Sequence, residues 1–285
     1  GLSDGMTSKM LVTGATGTVG SRVVDALADS VLPFRAGVRD PTGGEWPENC
    51  EPIAFDFERP ETWGFAFEDV ETLFLLRPPS VDRDHIVEAV DAAVRTGVSH
   101  VVYLSVLGAE RNPLLPHWHI EKHLEASDAS YTFLRASYFM QNLSEIHAPE
   151  IRERDELFVP AGDGALSFVD ARDVGAVAAV TMTDPGHENC AYDLTGPESL
   201  DFDSVAERFS DVLGRRVTYA RPSSFEFVRQ TAARGVSLRF AVLMVGIYAP
   251  ARLGLAGRVT DDVARLLGRP PTSLAAFVDD YRDVW

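Results

Sequence analysis

Met10-Leu11-Val12-Thr13-Gly14-Ala15-Thr16-Gly17-Thr18-Val19-Gly20 is the stretch that decides the fold. The apolar run Met10 to Val12 leads straight into three glycines, and these lead into the helix-patterned Val19 to Leu27. Strand, glycine turn and helix in that order bring the N–H groups of a helix N-terminus to face a pyrophosphate. The glycines are spaced G-x-x-G-x-x-G rather than G-x-G-x-x-G. Gly14 then permits the tight turn, Gly17 lets the backbone approach the phosphates, and Gly20 lets the helix pack close to the sheet. Thr16, Thr18 and Val19 complete the expected cradle. A glycine triplet alone also suits a purely structural turn. Its position on the first strand of a β/α alternation makes it a dinucleotide site.

That alternation runs through the first half. Met10–Thr13, Phe34–Val38, Pro52–Phe55, Thr72–Leu76, Val101–Leu104 and Thr132–Leu134 read as strands. Ile86, Val87, Val90, Ala93 and Val94 recur at helical spacing, and Gly97 caps the helix they define. The pattern predicts an α/β fold, a Rossmann-type doubly wound parallel sheet covered on both faces. After Asn142 the rhythm changes. Phe168–Val169 and Ala191–Leu194 read as further strands, with a helix from Asp173 to Met182 between them. Helical patterns then dominate, at Phe202–Leu213, Phe225–Arg234, Leu238–Ala249, Asp261–Leu267 and Leu274–Tyr281, with a short Val217–Tyr219 strand. The expected organisation is a nucleotide-binding domain over 9–145, completed by roughly 167–195, and a smaller, mostly helical C-terminal lobe over 196–285 with roughly 146–166. That lobe is expected to close over the carboxyl edge of the sheet.

Acidic residues outnumber basic ones by 43 to 26, a formal charge of −17, which argues against nonspecific binding to nucleic acid or to an anionic membrane surface. The acidity is read as serving solubility. Cys50 and Cys190 stand far apart with no Cys-x-x-Cys spacing, so neither a disulfide framework nor a zinc site is expected, in keeping with a reducing cytoplasm. Gly1 to Ser8 lacks a basic segment followed by an apolar core, so it does not read as a signal peptide. It is expected to be a disordered start or an expression remnant. Leu238 to Ala249 is the most apolar later run, but it contains Arg239 and Gly246 and is too short to span a bilayer. A buried helix is expected there.

Taken with Val38-Arg39-Asp40-Pro41, Tyr131-Thr132-Phe133-Leu134-Arg135, Phe139-Met140-Gln141-Asn142, Phe168-Val169-Asp170-Ala171-Arg172-Asp173-Val174 and Leu267-Gly268-Arg269-Pro270-Pro271-Thr272, the opening motif resembles the NmrA-like branch of the atypical short-chain dehydrogenase/reductase superfamily. The likeness spans nearly the whole chain and is specific for the family, not for a substrate. It implies a Rossmann domain, NADP(H), and either a reductase or a cofactor-sensing regulator.

Arg39 bears on the choice of cofactor. A NAD site places a carboxylate roughly 20 residues past the glycines to bind the ribose 2′-OH. Here the second strand ends Gly37-Val38-Arg39, and a guanidinium suits a 2′-phosphate. The alternative is a solvated Arg39 with Asp40 as the ribose ligand. Asp56 resembles the family's adenine-contacting acid, or else forms a strand-end turn, and Phe57 beside it is also expected at the cofactor. Arg77, at the end of the fourth strand, is expected along the cofactor.

Many short-chain reductases use a Tyr-x-x-x-Lys pair. Matching backward from Tyr131-Thr132 puts the lysine position at His117 and the tyrosine position at Pro113, so neither member of the pair is expected here. His117, Ile120, Glu121 and Leu124 share one helical stripe, which turns His117 inward. A histidine at this place resembles the quinone- and dye-reducing members, as proton donor or oxygen-orienting group, with Glu121 one turn away tuning it. The other reading is a core histidine bonded to a carbonyl. His119 and His123 lie four apart on another face without a third ligand, and no metal is expected. Ser105 occupies the superfamily's serine position. Tyr138, Phe139, Met140 and Asn142 follow the sixth strand, where ligands bind in open α/β sheets, and are expected to wall the nicotinamide and substrate.

The expected function is NADPH-dependent hydride transfer to a conjugated carbonyl, quinone or aromatic polyketide-like small molecule. The alternatives are a catalytically silent NADP(H) sensor, or an isomerase, lyase or coupling enzyme on the same fold.

Overall fold

Short runs rich in Val, Leu and Phe, buried along their whole length, are what a parallel sheet covered on both faces requires. The computed structural model describes residues 9–285 and contains such a sheet. Gly1 to Ser8, expected to be a disordered start or remnant, lie outside the described residues. In chain order the first elements are β1 Met10–Val12, α1 Gly20–Asp29, β2 Phe34–Val38, β3 Cys50–Ala54, α2 Trp63–Phe67 and β4 Thr72–Leu75. Next come α3 Arg83–Thr96, β5 His100–Val106, α4 Pro116–Ala126, β6 Ser130–Ala136, α5 Gln141–Glu145, α6 Ala148–Arg154 and β7 Glu156–Leu157. The chain continues with α7 Ala171–Thr183, β8 Cys190–Leu194, α8 Phe202–Leu213, β9 Thr218–Tyr219, α9 Ser224–Ala233, α10 Leu238–Arg252, α11 Asp262–Leu267 and α12 Leu274–Asp280.

The chain divides into two compact units. The first holds the described residues up to Ala136, together with Ala171–Leu194 and Leu266–Gly268. Its seven strands run in the order β3-β2-β1-β4-β5-β6-β8, every pair parallel. Winding starts at β1 and proceeds outward through β2 and β3, then reverses to β4, so the switch of direction lies between β1 and β4. This is the Rossmann arrangement. Leu11, Leu73, Val101 and Phe133 alternate onto the face covered by α3 and α4. The opposite face carries α1 and α7. α3 ends at Gly97, at φ 124°, as its sequence suggests, and its start is capped by Asp82, which accepts from the N–H of Asp84.

The second unit comprises Ser137–Asp170, Thr195–Arg265 and Arg269–Trp285. Phe202, Phe209, Tyr248, Phe277 and Trp285 anchor its core, with the Trp285 ring edge-on to Phe209 at 4.8 Å. Two expectations fail in this unit. Phe168–Val169 is not a strand, because it makes only a single-residue bridge from Val169 to Phe139. The strands here are the two-residue β7 and β9, paired parallel, and β7 is too short to show any period in the sequence. The second correction is α10, expected to be buried. Only Ala241, Met244, Tyr248 and Ala251 are, while Leu238, Val242 and Leu243 are half exposed or more. A helix that is apolar all round reads as buried, yet this unit packs only one of its stripes. Among the described residues no helix is long and apolar enough to cross a membrane. Cys50 and Cys190 are both free thiols.

The two faces of α10 should respond differently to truncation. Met244→Ala should cost about 2–5 kcal/mol of stability, and Leu243→Ala within about 0.5 kcal/mol of nothing, read from urea unfolding midpoints. Equal losses would place Leu243 in a packed environment.

Candidate active site

The carboxyl ends of seven parallel strands meet at one edge of the sheet, so residues far apart in sequence converge there. At the end of β1, Gly14 has φ +61° and the N–H of Gly17 bonds to the carbonyl of Gly14 at 3.0 Å. A Cβ on Gly20 would stand 1.8 Å from the Gly14 oxygen, so only glycine lets α1 sit against the turn. At Gly17 a Cβ would meet nothing nearer than that oxygen at 3.4 Å, so the loop is open on that side. No side chain caps α1 at Val19, while within its first turn the Ser21 N–H bonds to Gly17 O and the Arg22 N–H to Val19 O, both at 3.0 Å. The Thr13 hydroxyl donates to Phe74 O and accepts from Leu76 N, stitching this turn to the end of β4.

Arg39 leaves β2 exposed, and no carboxylate pairs with it among the described residues. Asp40, the alternative ribose ligand, is bound to its own turn instead. Its Oδ1 accepts from the N–H of Thr42 at 3.0 Å and from the hydroxyl at 2.5 Å, and the Thr42 hydroxyl and then its N–H hold the carboxyl below the usual range. Asp56 forms a comparable turn, accepting from Glu58 N at 2.9 Å. Phe57, expected at the cofactor, is instead a core residue, because it packs edge-on to Phe55 at 4.8 Å.

Helix α4 lies over β5 and β6 and carries the histidine stripe. Alternate residues of β5 point toward it, and residues four apart on α4 point back. Tyr103 meets His117, with 2.6 Å between Oη and Nδ1. Ser105 donates to Glu121 Oε2 at 2.5 Å. Arg135 on β6 binds the same carboxylate through Nη2 at 2.7 Å and Nε at 3.3 Å, and also lies 3.4 Å from Glu110. Glu121, 2% exposed, therefore commits both oxygens to Ser105 and Arg135 and none to His117. Its expected influence on His117 is replaced by that of two residues the sequence reading passed over or placed elsewhere. Burial, and then the Arg77 guanidinium, push His117 down to about 4. Burial pushes the Tyr103 phenol well above its ordinary range. Arg77 holds its Nε buried with no hydrogen-bond partner among the described residues. Tyr103 is hard to find by sequence, because a tyrosine in a Val- and Leu-rich strand reads as plain core. Its signal is the pairing of β5 alternation with the α4 stripe.

The other histidines of α4 are occupied. His119 Nε2 lies 2.9 Å from Pro113 O, and His123 Nε2 lies 2.7 Å from Asp91. Among the described residues no group of three His, Cys, Asp or Glu is placed to hold a metal. Tyr138, Phe139, Met140 and Asn142 fall in the second unit. Tyr138 is half-buried, stacks on Tyr248 at 5.7 Å and donates to Ile247 O, and burial pushes its phenol up to about 12. Met140 is buried in the core of that unit, and Phe139 and Asn142 are half-buried.

Removing the Glu121 carboxylate should leave Arg135 as a charge without its main partner. Glu121→Ala should cost about 3–5 kcal/mol in denaturant unfolding, and Glu121→Gln less, since the amide still accepts from Ser105. A loss under about 1 kcal/mol for the alanine variant would make the network solvated rather than structural.

Solved and curated relatives share this architecture over nearly its whole length. The NAD(P)H azoreductase of Xenophilus azovorans is 34% identical over 275 residues, covering 94% of this chain and 96% of its own. Citrobacter sp. triphenylmethane reductase, solved in complex with NADP(H), superposes with a TM-score of 0.86 at 28% identity, covering 96% of this chain and 99% of its own. The NADPH-dependent quinone oxidoreductase of Escherichia coli, solved with NADPH, gives a TM-score of 0.83 at 26% identity, covering 95% and 99%. Residues 6–245 match the profile of the NmrA-like family. With the Rossmann sheet, the glycine turn and a match spanning most of its length, this chain belongs to the NmrA-like family.

Proposed function

We propose that this protein is an NADPH-dependent reductase that transfers hydride to a flat, conjugated acceptor such as a quinone, conjugated carbonyl or aromatic polyketide. The observation that carries the reading is the glycine seat. Gly20 pressed on the Gly14 carbonyl leaves an uncapped helix start at the carboxyl edge, where a pyrophosphate fits without a Cβ to block it. Relatives named for NAD(P)H-dependent reduction of azo, triphenylmethane and quinone compounds support the reaction class.

The residues fit the cofactor as follows. Gly14, Thr16, Gly17, Thr18, Val19 and Gly20 would hold the pyrophosphate, and Arg39 would hold the 2′-phosphate. Asp56 would serve the adenine end, and Arg77 and Ser105, which follow or end β4 and β5, would serve the nicotinamide end. The bound cofactor supplies hydride from C4 of its nicotinamide. His117 would be the polar group offered to the acceptor's oxygen. Most of the acceleration then comes from positioning.

Arg39 should contribute charge-assisted hydrogen bonds to the 2′-phosphate worth about 1.5–3 kcal/mol. Calorimetry should show NADPH binding at least about tenfold tighter than NADH, with the gap closing in Arg39→Ala. Equal affinities in the parent protein would sink the assignment.

Turnover is the sharper test. NADPH oxidation, followed at its absorbance band against a panel of quinones and aromatic polyketides, should find at least one acceptor. His117→Ala should slow it on the order of 10²-fold with little change in NADPH affinity, while His119→Ala should leave it unchanged. Tight NADPH binding with no acceptor reduced, together with a partner protein that distinguishes NADP+ from NADPH, would favour the cofactor-sensing alternative.

A further inference from the structure

The hydroxyl of Tyr103 has no part in the proposed reaction, yet it is fully buried on β5 and His117 Nδ1 is its one hydrogen-bond partner among the described residues. A phenol has one proton to place, and a buried donor without an acceptor costs about 1–3 kcal/mol. Were the imidazole proton on Nδ1, it would point at the phenol oxygen and leave the phenol proton with no acceptor. The arrangement that satisfies both groups has Tyr103 donating to Nδ1 and the ring's proton on Nε2.

The surroundings hold the ring in that form. Arg77, beyond β4, sets a positive charge against it, and burial also disfavours the imidazolium. On its own helix, Glu121 is engaged by Ser105 and Arg135. On α3, Asp91 is paired with His123. No carboxylate bonds to His117 among the described residues.

We propose that Tyr103 is a positioning residue that locks His117 as a neutral Nε2–H donor, which hydrogen-bonds the acceptor's oxygen without protonating it. This rests on the reductase reading and narrows its substrate class. A quinone that takes up hydride gains two electrons and becomes a hydroquinone monoanion, stable enough to take its proton from water afterwards. An isolated ketone would become a strongly basic alkoxide and needs an acid in the transition state. The site reduces the first kind of acceptor and not the second.

Histidine 15N NMR of the cofactor-free protein reads the tautomer without any turnover. The expected spectrum has His117 with Nδ1 bare and Nε2 protonated, unchanged from about pH 8 to about pH 5. Tyr103→Phe should mix the tautomers and lower kcat on a good quinone by about tenfold, the effect of one lost hydrogen bond, with KM for NADPH unchanged. An Nδ1–H tautomer in the parent, a titration near the ordinary 6.5, or a Tyr103→Phe variant that keeps both tautomer and rate would overturn the lock. If that variant does not fold, the parent's tautomer and titration still decide. An inactive parent with a locked His117 would refute the reductase reading while supporting the lock, and a parent equally active on isolated ketones would refute the narrowed substrate class.

Discussion

The seat of α1 on the end of β1 is the contact from which the first unit is organised. Gly20 lies so close to the Gly14 carbonyl that no side chain larger than hydrogen fits between them, and Gly14 itself adopts a left-handed φ. That close approach brings the start of α1 to the sheet's carboxyl edge with no capping side chain at Val19. The Thr13 hydroxyl then ties the same turn to β4, across the switch in winding direction. Arg39 stands exposed just beyond the end of the neighbouring strand β2.

A second constraint runs between β5, α4 and β6. Two polar contacts lie under one helix and are of opposite character. Glu121, Ser105 and Arg135 form a buried, charge-compensated brace, in which each carboxylate oxygen has a donor. One turn earlier, His117 and Tyr103 form a neutral pair next to the Arg77 cation. The brace fixes α4 against the sheet, and the neutral pair takes its geometry from that fixed helix. A neutral pair and a charged brace therefore occupy adjacent turns of one helix, with no shared hydrogen-bond partner.

The second unit follows a looser logic. Its core is aromatic, built on Phe202, Phe209, Tyr248, Phe277 and Trp285, and its two paired strands are only two residues each. His147, buried and bonded to the Tyr248 hydroxyl at 2.9 Å, is the one histidine in this core. Burial alone pushes it down to about 4. α10 contributes one stripe to the core and leaves Leu238, Val242 and Leu243 outside it.

Legible in the sequence were the elements whose signals are local. The glycine turn, the alternation of apolar runs with helical stripes, the glycine that ends α3, and the arginine at the end of β2 all depend on residues within one or two turns of each other. The family likeness rests on the same short motifs. Only the tertiary structure decided what depends on distant partners. It turned Glu121 away from His117 because Arg135, 14 positions further on, reaches it first through the β5–β6 register. It made Tyr103, indistinguishable in the sequence from a core residue, the partner of His117. It left half of α10 exposed, because apolar composition marks a helix as fit for burial and says nothing of how many neighbours arrive to cover it. The physical reason is the same throughout: propensity and periodicity act along the chain, whereas hydrogen-bond partners and packing are selected across it.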